Sequence, residues 1–220
     1  GRGDFDARIA TITAMIGQYV DLDRFISLME VRDMPRKKSP AFDASPAREV
    51  KIGVALDEAF NFYYADLFDT LHTLGAEYVP FSPVHDRLPE ADGYIIGGGY
   101  PELHAAALEA GPARRQIREA SADGMPIYGE CGGLMYLGGR LENEGCTYQM
   151  VGALPGSTVM TKKLVALGYA RAEAVGENPL AGIGESILGH EFHYSRFDAE
   201  GDSRFAYRMS RGRGIQDGKD

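Results

Sequence analysis

Tyr128-Gly129-Glu130-Cys131-Gly132-Gly133-Leu134-Met135-Tyr136-Leu137 sets one cysteine in a glycine-rich turn, between a short apolar run and an apolar stretch. Met125-Pro126-Ile127-Tyr128-Gly129, broken by proline on its entering side, suits the end of a strand. Leu134 to Leu137 suits the start of a buried helix. A strand-turn-helix with small residues on both sides of a nucleophile holds that side chain clear of its neighbours, as in the G-x-S-x-G elbow of hydrolases. Glycine is required where the turn leaves no room for a Cβ. A thiol at a helix N-terminus also feels the positive end of the helix dipole, which favours the thiolate. Cys131 is therefore the candidate nucleophile, weighed against the buried structural thiol that a free cysteine often is. Cys146, between Glu144-Gly145 and Thr147, reads as a loop cysteine.

Outward from this turn, apolar segments alternate as in an α/β chain: strands at 50–56, 78–81 and 93–96, helices at 61–74, 102–110 and 113–122. Beyond Cys131 the character turns to β, with strands expected at 148–154, 165–174, 187–197 and 205–209. The expected architecture is a mostly parallel sheet flanked by helices and extended by antiparallel strands, with ligands at the carboxyl ends of the parallel strands. Residues 7–30 carry helical spacing in two runs, with Asp21 as a cap. Residues 35–48 are rich in proline and charge and read as a linker, and the main domain begins near Glu49.

The chain has 220 residues, 44% of them hydrophobic, which is ample for a core. Acidic side chains outnumber basic ones 32 to 23, giving a formal charge of −9. That balance disfavours a broad electrostatic grip on nucleic acid. Arg196, Arg204, Arg208, Arg211 and Arg213 cluster locally and read as a solvated basic edge in preference to an anion site. No apolar run approaches the ~18 residues a membrane span needs. Two cysteines are too few for a disulfide scaffold, neither has metal-site spacing, and a reducing cytoplasm fits best. A first residue other than methionine points to a piece of a longer chain.

A thiol nucleophile needs a base and later an acid, and histidine is the usual partner. Of five histidines, His190 and His193 share Gly189-His190-Glu191-Phe192-His193-Tyr194-Ser195. If that segment is extended, Glu191, His193 and Ser195 face one side. Glu191 and His193 are then the natural polar pair, with a core histidine as the alternative reading. Oxyanion donors come most cheaply from backbone N–H groups. Gly97-Gly98-Gly99-Tyr100-Pro101-Glu102, after a buried strand, can present them, and Gly132 follows the nucleophile directly. The glycine triplet lacks the G-x-x-x-x-G-K-[ST] frame of a phosphate loop.

With Ile95–Glu102, Tyr128–Leu137 and Gly189–Ser195 in this order, residues 50 to 210 resemble the glutaminase part of the cobyrinate a,c-diamide synthase family, a class I glutamine amidotransferase with a flavodoxin-like sheet. The resemblance implies Cys131 as nucleophile, His193 as its activating base, oxyanion donors at Gly98 or Gly99 and at Gly132, and substrate contacts from Tyr100 and Glu102. Met135, four residues past the cysteine where many class I glutaminases have glutamine, resembles the a,c-diamide branch. Ser195 stands where the family pattern usually has an acid, which leaves a Cys-His dyad with Glu191 as candidate orienter.

The resemblance further implies an amino-terminal P-loop synthetase domain that uses ATP and magnesium, of which residues 1–34 are the end. The amidotransferase domain, 49–220, is then cut short at its carboxyl end and needs no metal of its own. Implied partners are glutamine and a tetrapyrrole acceptor, either a cobalt corrinoid or nickel-sirohydrochlorin, and a homodimer is left open. A cysteine hydrolase of another amide remains the rival enzyme, and an inactive scaffold half the rival without activity.

Overall fold

The structure, a computed structural model, describes residues 2–29, 50–201, 203–216 and 218–220. The chain divides into two compact units, Gly1–Ala41 and Phe42–Asp220. The first contains α1 (Arg2–Tyr19) and α2 (Leu22–Leu28). Asp21 caps α2, its carboxylate accepting from the Arg24 N–H at 3.0 Å. Ile12, Met15 and Phe25 stay exposed, so the two helices enclose no core of their own. The expected linker, 35–48, lies outside the described residues.

The second unit is organised by a four-stranded parallel sheet of β1 (Val50–Ala55), β3 (Ala76–Phe81), β4 (Gly93–Ile96) and β6 (Ile127–Gly129), in the order β3-β1-β4-β6. The chain steps from β1 to β3 on one side, then returns to β4 on the other. This reversal opens a crevice at the carboxyl ends of β1 and β4. Helices α3 (Ala65–Thr73), α4 (Ala105–Ala110), α5 (Ala113–Ala122) and α6 (Gly132–Leu137) accompany the sheet. Val54 and Ile96 from the strands, Leu108 and Ile117 from α4 and α5, and Tyr136 from α6 are fully buried. Removing such apolar side chains from water is the main force holding these layers together.

The β-rich part forms two further sheets. One joins β12 (Ser195–Ala199), β9 (Gly156–Met160), β7 (Arg140–Asn143) and β8 (Cys146–Gln149), with β7 and β9 parallel. The other is antiparallel, β11 (Ser186–His193), β10 (Ala166–Ala174) and β13 (Tyr207–Arg211). Among the described residues no helix is long and apolar enough to cross a membrane.

Four local expectations are corrected. The helix expected from Asn61 begins at Ala65, because Phe60–Phe62 forms β2 and pairs with β5 (Gly98–Gly99). The Asp57 carboxylate turns the chain into β2 by accepting from the Ala59 and Phe60 N–H groups at 2.8 and 3.0 Å. The strand expected at 148–154 is instead the second arm of a β7-β8 hairpin. Glu144 and Gly145, both at positive φ (50° and 81°), make its two-residue turn. Cys146 consequently lies in β8 and not in a loop. Finally, the single strand expected at 187–197 breaks at Tyr194, where the chain leaves one sheet and enters the other.

Candidate active site

Beyond Gly129 the chain leaves β6, but the Glu130 N–H still donates to the Ile96 carbonyl of β4 at 3.0 Å. The next residue, Cys131, takes φ 52° and ψ −104°, backbone that a non-glycine residue adopts only under strain. α6 begins at once with Gly132. Its second residue, Gly133, donates to the Glu130 carbonyl at 2.8 Å and lies so close to β4 that an added methyl would sit 1.9 Å from the Ile96 oxygen. Glycine is thus imposed by contact, and the elbow expected from the sequence is present.

The Gly97–Gly99 loop meets this elbow. A methyl placed on Gly98 would lie 3.7 Å from the Cys131 Cβ, and one on Gly132 would lie 3.2 Å from the Gly99 nitrogen. The backbone of Gly98 and Gly99 therefore adjoins both Cys131 and the first turn of α6. Two features hold the loop there. Pairing with β2 fixes Gly98 and Gly99, and the Tyr63 hydroxyl accepts from the Gly97 N–H at 2.8 Å while donating to the Ala55 carbonyl. Burial pushes the Tyr63 hydroxyl up to about 12, so it stays protonated in this role. Sequence reasoning missed Tyr63, and its signal was the aromatic run Phe60-Asn61-Phe62-Tyr63. Tyr100 packs edge-on against Phe62 at 5.1 Å between ring centres and remains half exposed.

The electrostatics reverse one expectation. Cys131 has an exposed edge, yet the crowded turn withdraws water from its sulfur and pushes the thiol above its ordinary value. The Gly132 amide acts in the expected direction, but Glu130 and Glu102 add their negative charge to the effect of burial. Burial thus favours the protonated thiol, and the short helix does not overcome desolvation. Glu102 is itself raised, by burial first, with its backbone hydrogen bonding and His104 pulling the other way. The Glu102 carbonyl accepts from Asn143 Nδ2 at 3.2 Å, which anchors this turn to β7.

His193 is the last residue of β11 and is half-buried. Its Nδ1 lies 2.8 Å from the Ser195 carbonyl oxygen. A carbonyl only accepts, so Nδ1 carries the proton and Nε2 is left as the basic nitrogen. Glu191 faces the same side of the sheet, as its spacing implies, but its carboxylate is engaged elsewhere. It accepts from the Arg213 N–H at 2.8 Å and the Gly214 N–H at 2.8 Å. The expected orienting bond from Glu191 to His193 is therefore replaced by one from the Ser195 backbone. Asp220 lies close enough to feel the charges of Glu191 and His193, and its own charge reaches Tyr128, three residues before Cys131. The structure thus gathers Gly98, Gly99, Gly132 and Glu102 about Cys131, holds Tyr100 against Phe62, and sets His193 with Glu191 on the antiparallel sheet.

A cysteine elbow and a glycine loop at the carboxyl ends of a parallel sheet define the class I glutamine amidotransferase type of fold. The chain belongs to the CobB/CobQ-like glutamine amidotransferase domain family, whose model matches residues 51–220. It is 45% identical to a cobyrinate a,c-diamide synthase of Methanosarcina barkeri, over 100% of this chain and 48% of that protein. It is also 43% identical to a protein of the same name from Methanothermobacter thermautotrophicus, over 92% of this chain and 45% of the relative. The chain thus spans about half the length of the curated relatives it matches. Among solved structures, PurLQS from Thermotoga maritima superposes with a TM-score of 0.55 at 18% identity, covering 74% of this chain and 76% of that one. A crystal structure of glutamine amidotransferase gives 0.52 at 16% identity, covering 71% and 79%. Both likenesses concern the fold.

Proposed function

We propose that this chain supplies ammonia from glutamine to a cobyrinate a,c-diamide synthase. The observation that carries the reading is the approach of the Gly98–Gly99 backbone to a strained Cys131. On this reading the Cys131 sulfur attacks the side-chain carboxamide carbon of glutamine as its proton passes to Nε2 of His193. A new S–C bond forms, and the carbonyl oxygen takes up negative charge opposite the amides of Gly98 or Gly99 and Gly132. Collapse breaks the C–N bond, with His193 returning the proton to the departing ammonia. Water then attacks the thioester, His193 acts as base, and glutamate leaves with the thiol restored.

Tyr100 and Glu102, which follow the glycine loop directly, are read as contacts for the rest of the glutamine. The ammonia goes to a carboxylate of a tetrapyrrole acceptor, activated by ATP and magnesium in the half of the relatives' length that this chain does not span. α1 and α2 are read as the end of that synthetase part. The names of the relatives favour a cobalt corrinoid acceptor, and the setting is the cytoplasm.

The test is glutamine hydrolysis with and without acceptor, alongside labelling by a glutamine-analogue electrophile. Wild-type protein should release glutamate and label at Cys131, and Cys131→Ala should do neither. Glutamate release that survives Cys131→Ala would remove the proposal.

A further inference from the structure

The connection between β9 and β10, Thr161-Lys162-Lys163-Leu164-Val165, lines an open cavity of about 350 Å³ together with Arg196 and Arg213. Gathering four cations around one hollow is costly by mutual repulsion, and in a chain of net charge −9 it is a local departure from the overall balance. Arg196 is compensated within the chain, reaching Asp198 through Nε and Nη2. Among the described residues no carboxylate forms an ion pair with the side chains of Lys162, Lys163 or Arg213, although the Glu191 carboxylate stands against the Arg213 main-chain N–H.

The backbone that presents these cations is fixed. The Thr161 N–H donates to the Tyr194 carbonyl at 2.7 Å and the Val165 N–H to the His193 carbonyl at 3.0 Å. Arg213 is drawn over the same connection by a bond from Nη1 to the Val165 carbonyl at 3.3 Å. Leu164, 41% exposed, adds an apolar wall. One carboxylate is matched by a single lysine or a single arginine fork, whereas this cavity is lined by Lys162, Lys163 and Arg213 besides the compensated Arg196. Its charge suits a ligand with several carboxylates, and its position places that ligand against the strand end that bears His193.

We infer that this cavity holds the carboxylate-rich acceptor, gripping side-chain carboxylates other than the one being amidated. The inference rests on the proposed function for the identity of the acceptor. On this inference Arg196 and Arg213 do more than form the solvated basic edge expected from the sequence.

The test uses the full-length protein and the charge reversal Lys162→Glu/Lys163→Glu, with Lys163→Gln as a milder companion should the reversal disturb the connection. Binding of cobyrinate, of its fully esterified form and of tripolyphosphate is titrated, and KM is measured for cobyrinate and for glutamine. The expected result is a rise of about tenfold or more in Kd and KM for cobyrinate, with a steeper effect at low salt. KM for glutamine should stay where it was, and the ester should bind poorly to wild type. An unchanged Kd for cobyrinate, or a loss confined to tripolyphosphate, would overturn the cavity assignment while leaving the proposed function standing. Wild-type protein that hydrolyses no glutamine, yet binds cobyrinate in a manner sensitive to Lys162 and Lys163, would overturn the function and keep the cavity.

Discussion

His193 Nδ1 is bonded to the carbonyl oxygen of Ser195, two residues further along the chain, across the point where β11 gives way to β12. A main-chain carbonyl thus fixes the ring, and the Glu191 carboxylate is spent on the amides of Arg213 and Gly214.

It follows that Glu191→Gln should leave kcat for glutamine hydrolysis within about twofold of wild type. Glu191→Ala should instead lower stability by about 1–2 kcal/mol, since two backbone N–H groups lose a charged acceptor. Steady-state kinetics beside urea unfolding separate the two effects. A hundredfold loss of kcat in Glu191→Gln with unchanged unfolding would restore the orienting role.

Substitutions at the elbow glycines should sort by contact. Gly133→Ala places a methyl 1.9 Å from a β4 carbonyl and should yield little folded protein. Gly132→Ala meets Pro101 Cδ at 3.0 Å and the Gly99 nitrogen at 3.2 Å, contacts that a small shift relieves. It should fold, with kcat lowered about 10- to 100-fold through a displaced oxyanion donor. Soluble yield, circular dichroism and kcat distinguish these outcomes.

Burial and two neighbouring carboxylates hold the Cys131 thiol up. In a Cys146→Ser background, the rate of alkylation by iodoacetamide should therefore reach half its plateau above the pH of an ordinary cysteine, about 8.5. Glu130→Gln removes one of the negative charges and should bring the midpoint down. A midpoint near pH 6 would show that the helix terminus prevails after all.

Glu102 behaves in the opposite sense to a salt-bridged acid. Its folded-state value is raised, so its ionised form is disfavoured by folding, and stability is lost as pH rises through that value. Glu102→Gln should accordingly raise Tm at pH 7 by about 1–2 °C, partly screened by solvent. The gain should vanish below about pH 4, where the carboxyl is protonated in both states. Differential scanning calorimetry at the two pH values reads the sign directly.

The parallel sheet, the cysteine elbow and the glycine loop were legible because each is a local pattern: an apolar run, a tight turn, a helix start. What escaped was assembled over distance. Phe60–Phe62 reads as a helix start until Gly98–Gly99 offers it a partner strand, and Tyr63 acquires its role only when Gly97 is brought under its hydroxyl. Glu191 and His193 were rightly set on one face, but period-two alternation carries no word of amides more than twenty residues later. The thiol's direction was misjudged because dipole and desolvation oppose each other there, and burial cannot be read from the ten residues around Cys131.

Left-handed backbone at Cys131 costs about 1–3 kcal/mol that glycine at the same position would largely avoid. Drift toward sturdier folds would therefore tend to install glycine here, as strained positions trade activity against durability. Cysteine at this position is a residue that stability does not account for, and on the proposed function its presence is the imprint of selection for reactivity on the chain.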